Sequence, residues 1–305
     1  MSILVVGSVA LDTVETPNGK VVDSLGGSAT YFSVAASFFP STIRFVGAVG
    51  DDFPKEHIDF LKSRGVDLDG LDQIRGGKTF RWGGSYIDDL NFAQTHFTEL
   101  NVFGHFTPKL PDSYRDTPYV FLANINPELQ LEVLKQVRRS KLVVCDTMNL
   151  WIDISKPALM ETLRQVDILI INDGEAKQLT QESNLIKAGR QILTYGPSRV
   201  VIKKGEHGAL SLTESDFFAL PAYPLASVFD PTGAGDSFAG GFMGHLASTD
   251  QPESEEVIRQ AIGYGTVVAS FNVEDFSLNR QRNLTTLEIE ERYEKLRKMV
   301  DFYVA

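Results

Sequence analysis

The sequence predicts an α/β protein: a doubly wound, mainly parallel sheet flanked by helices, with a small β lid. Three observations predict it. From residue 119 onward short apolar strands alternate with helical segments, the pattern of β–α units joined by right-handed crossovers. Residues 230–242 read Asp-Pro-Thr-Gly-Ala-Gly-Asp-Ser-Phe-Ala-Gly-Gly-Phe, a glycine-rich loop running into a helix. Before residue 100, extended runs broken by Pro17-Asn18-Gly19 and by Gly76-Gly77 stand outside that alternation and read as hairpins.

Length and composition agree with one large α/β unit carrying a small appendage: 305 residues are many for one domain and few for two. Apolar content of 43% and charged content of 23% are ordinary for a globular chain. A net charge of -11 gives no electrostatic footprint for nucleic acid. Cys145 is the single cysteine, so no internal disulfide forms; its apolar setting reads as a buried strand thiol. Residues 3–7 are a short strand run ending at Gly7, not a signal peptide, and no apolar stretch approaches the ~20 residues of a membrane span. The expectation is a cytoplasmic protein with no nucleic-acid or membrane partner.

In chain order, residues 3–6 form a strand, and Asp12 follows its end. Residues 14–25 make a hairpin that ends at Gly26-Gly27, and 29–39 a small-residue helix stopped by Pro40. A strand over 44–49 leads through Gly50-Asp51-Asp52 to a helix over 53–64, closed by Gly65. The extended run 72–87 joins the hairpin as lid. Gly77-Lys78-Thr79 imitates the end of a phosphate-binding P-loop, but Asp72 stands where a glycine is needed and no helix follows. Residues 88–118 read as an edge strand plus connection. None of the five histidines has metal-ligand spacing with another. Strands over 119–123, 142–145, 167–171 and 199–203 alternate with helices over 127–138, 156–165 and 175–179, a further helix reaching about 194. Two or three edge strands fill 209–228, the last running straight into the glycine loop; helices over 253–273 and 285–299 close the chain.

In such sheets ligands sit at the carboxyl ends of the strands. Asp12, Asn124, Asp146, Asn172, Lys203 and the 233–236 loop all follow predicted strand ends, which gathers them on one rim. Gly233, Ala234 and Gly235 let a ligand approach backbone N–H groups at a helix start, where unpaired donors and the dipole favour an anion. Asp236 stands beside that hole, placed to take a proton from a nucleophile. In isolation the loop would be a tight turn with a capping Asp. The strand before it and Gly240-Gly241 after it favour the anion site. Asn172 and Glu175, three apart at a helix start, fit a capping box equally well as oxygen ligands for Mg²⁺. In the company of the other motifs the metal role, through water, is preferred.

The 230–242 stretch closely resembles the second signature of the ribokinase-like (PfkB) family of sugar and nucleoside kinases, Asp-Thr-x-Gly-Ala-Gly-Asp, departing at Pro231 only. The resemblance covers nearly the whole chain. It implies a single ribokinase-like domain over 1–305, with a lid from about 12–26 and 72–100. It also implies transfer of the γ-phosphoryl group of ATP to a hydroxyl of a sugar or sugar derivative, with Asp236 as base and the Gly233–Gly235 loop as anion hole. Asp12 matches the sugar-hydroxyl acceptor, and Gly26 and Gly27 match the substrate turn. Tyr31 stands where the family often carries Asn. Asn124 and Asp146 fall on the substrate side; Asn172, Lys203, Gly205, Gly208 and Asn272 fall on the nucleotide side. Asp230 and Thr232 match positions that ligate K⁺ in many members. Alternatives within the family are a nucleoside or hydroxymethyl-pyrimidine kinase, for which Phe80, Trp82 and Tyr86 would suit stacking on a base. A ligand-binding relative without turnover is disfavoured by the intact Asp236, and a dehydrogenase by the lack of a Gly-x-Gly-x-x-Gly run after Gly7. Phe80, Trp82 and Tyr86 share the even face of one strand, so the lid is expected to pair in a homodimer or to close over substrate.

Overall fold

β1 (Ser2–Val6) is apolar on both sides, and Ile3, Leu4, Val5 and Val6 are fully buried. A strand with two apolar faces belongs in a sheet covered on both sides. In the computed structural model, which describes residues 1–87 and 89–301, Ile3 and Val5 face one hydrophobic cluster while Leu4 and Val6 face another.

After β1 come the hairpin β2 (Ala10–Thr16) and β3 (Gly19–Gly26), helix α1 (Ser28–Ala36), β4 (Thr42–Gly50), α2 (Lys55–Ser63) and β5 (Val66–Ile74). β6 (Phe80–Ser85) and β7 (Gln94–Glu99) precede two 3-10 turns. The regular alternation follows: β8 (Tyr119–Leu122), α3 (Pro127–Leu134), β9 (Leu142–Asp146), α4 (Asn149–Ile154), α5 (Lys156–Leu163), β10 (Ile168–Asn172), α6 (Asp173–Thr180), α7 (Leu185–Leu193) and β11 (Arg199–Lys203). β12 (Ala209–Leu212), β13 (Phe217–Leu220), α8 (Ala234–Thr249), α9 (Glu255–Asn272), α10 (Asn279–Arg282) and α11 (Thr286–Val300) complete it.

The main sheet runs β13-β12-β11-β10-β9-β8-β1-β4-β5, parallel except for the antiparallel β12 and β13. One cluster packs it against α1, α8 and α9, the other against α3, α5, α6 and α7. α8 lies tightly on its neighbours because Gly240 and Gly241 have no side chain. A Cβ on Gly240 would meet that of Ala35 at 2.6 Å, and one on Gly241 would meet Gly265 Cα at 3.0 Å.

A second sheet, β3-β2-β6-β7, forms the lid, with β2 and β6 parallel and the outer pairs antiparallel. Arg81 fastens it to the main body, pairing with Asp23 of β3 and, at 2.8 Å, with Asp52.

Four expectations change. β5 pairs with β4 from Ile43–Val66 to Gly50–Ile74, so residues 72–74 belong to the main sheet and the lid resumes only at β6. Residues 226–229 are not a strand. Their backbone is held by Val273 O, which accepts from Phe229 N at 2.7 Å, and by Asn18, which donates to Val228 O. α3 stops at Leu134, and α4 and α10 were not foreseen, being too short to show a period. The aromatics expected on one face of β6 have three different surroundings, although β6 runs in unbroken register with β2 and the bulge beside it lies on β7 at His96. Phe80 stacks on Phe103 at 5.6 Å, Trp82 lies over Gly84, and Tyr86 is buried against the site described below.

Candidate active site

The site is built where α8 begins. Gly233 is the N-cap, with φ 75°, a left-handed conformation that suits glycine. The ring of Tyr31 lies where its Cβ would be. Among the described residues no side chain caps the helix. Ala234 N–H is spent on Pro231 O at 3.1 Å, so Gly235 and Asp236 supply the available donors of the expected hole.

Asp236, in the first turn of α8, keeps part of its surface open, yet the surrounding protein removes most of its hydration. Burial pushes its carboxyl up to about 8; Asp146, Asp12 and Glu175 add to the rise and Lys203 opposes it. The five groups reach one place from five elements: β2, β9, α6, the end of β11 and α8. Asp12 is buried and held at about 7, first by burial, then by Asp230, with the Gly27 N–H acting against both. Its carboxylate occupies the space over Gly26 where a side chain would stand. Asp146 accepts from Thr147 N at 2.9 Å and from Lys203 Nζ at 3.1 Å.

Asn172 and Glu175 form a complete capping box: Asn172 Oδ1 accepts from Glu175 N at 2.7 Å, and Glu175 Oε2 accepts from Asn172 N at 2.9 Å. Burial raises Glu175 to about 7, with Lys203 acting against that rise. Among the described residues no three His, Cys, Asp or Glu converge as a ready metal cage. That donor set still fits Mg²⁺, which is usually held by one or two carboxylates, waters and substrate phosphates.

Several expected residues have other duties. Tyr31 is 1% exposed, so it is a floor beneath Gly233, not a substrate contact. Among the described residues its hydroxyl meets no hydrogen-bond geometry, and the neighbouring Ser277 hydroxyl donates to Leu25 O. Asn272 is sealed: its Nδ2 donates to Thr232 O at 2.8 Å, and its Oδ1 accepts from Ser237 and Gln281. It holds the glycine loop from below instead of lining an adenine pocket. Asn124 Oδ1 accepts from Trp151 Nε1 at 2.8 Å. Asp230 is fully buried and accepts from Thr232 N at 2.8 Å and Ser277 N at 3.0 Å. Gly205 and Gly208 have φ of 54° and 84° and make the turn after β11; Asn91 of the lid lies over Gly205 and donates to Glu206 at 2.9 Å. Asn91, Ser277 and Gln281 gave no signal in the sequence, being polar residues in irregular or short segments. Tyr86 had shown only as part of the stripe; its hydroxyl accepts from Thr232 Oγ1 at 3.3 Å. A cavity of about 620 Å³ lies elsewhere, between the ends of β4 and β5 and the turn after β7, and none of these residues lines it.

Comparison with known proteins agrees with this geometry. The model of the pfkB family of carbohydrate kinases matches residues 112–283. A cytidine kinase of Thermococcus kodakarensis is 31% identical over 248 residues, covering 80% of this chain and 87% of the relative. A nucleoside kinase of Methanocaldococcus jannaschii is 26% identical, covering 89% and 86%. A structure described as a ribokinase II of E. coli, in complex with ATP and Mg²⁺, superposes with a TM-score of 0.79 at 18% identity, covering 96% of this chain and 99% of that one. By sequence, fold and the residues gathered at the start of α8, the chain belongs to the pfkB family of sugar and nucleoside kinases, and its fold is that of the ribokinases.

Proposed function

We propose that the protein transfers the γ-phosphoryl group of ATP to a hydroxyl of a nucleoside. One observation carries the transfer: Asp236 at the uncapped start of α8, its carboxyl held at about 8, with Asp12 across the cleft. In the reaction Asp12 accepts a hydrogen bond from another hydroxyl of the substrate and so holds it in place, and Asp236 takes the proton of the hydroxyl that is phosphorylated. The oxygen forms its bond to the γ-phosphorus as the bond to the β,γ-bridging oxygen breaks, and ADP departs with that electron pair. The N–H groups of Gly235 and Asp236 hold the equatorial oxygens, where fixed donors act without reorganising. Tyr86 and the lid exclude water, which otherwise competes as acceptor.

Mg²⁺, when bound with the nucleotide, neutralises phosphate charge; Glu175, with Asn172 orienting it, would hold it through water. Burial raises the proton affinity of Glu175 in spite of Lys203, and a bound cation would favour its ionised form. K⁺ fits Asp230 and Thr232: the Asp230 carboxyl is fully buried, and burial raises its proton affinity. Turnover compared in Na⁺ and K⁺ buffers tests that assignment.

The relatives support a nucleoside over a free sugar, since a cytidine kinase and a nucleoside kinase each align with most of the chain. ADP release measured over cytidine, uridine, inosine, D-ribose, D-fructose and a hydroxymethyl-pyrimidine tests it. Preference for a free sugar or the pyrimidine would refute the assignment. Asp236→Asn should retain its fold and ATP binding but lose roughly 10²–10⁴ in kcat. Near-wild-type turnover would remove Asp236 as base. Val22 and Phe92 on the lid side are 65% and 72% exposed, which supports pairing of two lids. Val22→Asp should then shift mass toward monomer in light scattering, and a wild type already monomeric at micromolar concentration would exclude the pairing.

A further inference from the structure

Lys203 is the last residue of β11, and the strand delivers it beneath the glycine loop. Its Nζ lies 2.9 Å from where a Cβ on Gly235 would stand, so the ammonium adjoins the N–H groups at the start of α8. Asp146 Oδ2, at 3.1 Å, is its one hydrogen-bond partner among the described residues, leaving two of its three N–H donors available. The side chain is 17% exposed and so is not sealed off, and Asp146 is 5% exposed. Burial alone would lower the proton affinity of this amine, but Asp146, Glu175 and Asp236 outweigh it and keep the group charged.

The charge balance gives the ammonium a task. Asp12, Asp146, Glu175 and Asp236 crowd a cleft that must accept a triphosphate, and like charges repel it. When its partner moves to the nucleotide Asp146 keeps one hydrogen bond, because its Oδ1 accepts from Thr147 N at 2.9 Å.

We propose that Lys203 is a catalytic residue whose ammonium exchanges Asp146 for the γ-phosphoryl oxygens as the nucleotide binds, and neutralises the charge that develops there. The proposal rests on the phosphoryl-transfer reading above. It assigns the Lys203–Asp146 pair the part of a parked cation, which holds a charge in place until substrate arrives.

Three variants test it: Lys203→Met, Asp146→Asn and the double variant. Melting curves, calorimetry with ADP and with the non-hydrolysable analogue AMP-PNP, and turnover with the best acceptor of the panel are compared. Lys203→Met should lose about 10²–10³ in kcat. Its affinity for AMP-PNP should fall about tenfold more than its affinity for ADP, because only the γ group meets the ammonium. A single variant also strands a buried charge, so lost stability by itself decides nothing. The double variant removes both charges and should melt near the wild type while keeping the low kcat and the altered AMP-PNP to ADP ratio. Recovery of either in the double variant overturns the proposal and makes Lys203 only a partner for Asp146. The calorimetric ratio needs no turnover. An active Asp236→Asn would therefore defeat the base assignment and leave this test standing.

Discussion

Gly26→Ala is the sharpest test of how Asp12 is placed. Gly26 ends β3 outside the left-handed region, so alanine adds no backbone strain. The new methyl would fall inside the van der Waals shell of the Asp12 carboxylate, with Oδ2 and Cγ both too close. To restore ordinary contact the carboxylate must move by roughly 1 Å or more. It is the end of a side chain on β2, so it can swing aside without disturbing the sheet. A displacement of about 1 Å at a positioning group costs on the order of 10²-fold in rate. The expected result is a fall of about 10² in kcat/KM for the acceptor, an unchanged KM for ATP, and a melting temperature within a few degrees of wild type. Initial rates over both substrates, with melting curves, measure all three. A double-mutant cycle with Asp12→Ala adds a control: once the carboxylate is gone, Gly26→Ala should cost little more. An unchanged acceptor kcat/KM in Gly26→Ala, or full additivity in the cycle, would refute the placement of Asp12 over this turn.

Two further outcomes follow. Asp12 and Glu175 are held at about 7 and Asp236 at about 8, so between their unfolded values near 4 and these levels the folded chain binds more protons than the unfolded one. Stability should therefore be greatest at the acid end of that window and decline as pH rises to about 8 in ligand-free protein; Asp236→Asn should flatten the decline, and melts with parallel slopes would contradict it. Glu175→Gln preserves the capping geometry but removes the charge, so the Mg²⁺ concentration for half-activity should rise with little change in melting temperature; lost stability at unchanged Mg²⁺ dependence would leave Glu175 as a cap alone.

The sequence by itself determined the class of the sheet, the glycine loop and the sites of most rim residues. Those signals are local: Ile3 to Val6 buries both faces whatever packs on them, and three small residues before Asp236 open a helix start regardless of context. Asp146, Asn172 and Lys203 were legible because they end β9, β10 and β11, whose ends are set by nearby residues and aligned on one side by a parallel sheet; Asp12 instead lies within β2 of the lid. Which side chains face the cleft was decided only by the tertiary structure. Tyr31 and Asn272 looked like binding residues, yet α1 turns one under Gly233 and α9 turns the other under Thr232 O. β5 carried lid-like letters, but its register with β4 put it in the main sheet. The run 226–229 was apolar enough for a strand, but its backbone bonds go to Val273 O and the Asn18 side chain. Partners distant in the chain supply the difference: Ser277 for Asp230, Asn91 for Glu206, and Asp146 for Lys203 across 57 residues. No window of sequence contains both members of such a pair, so the charge balance of the cleft emerges only when the sheet and its helices bring them together.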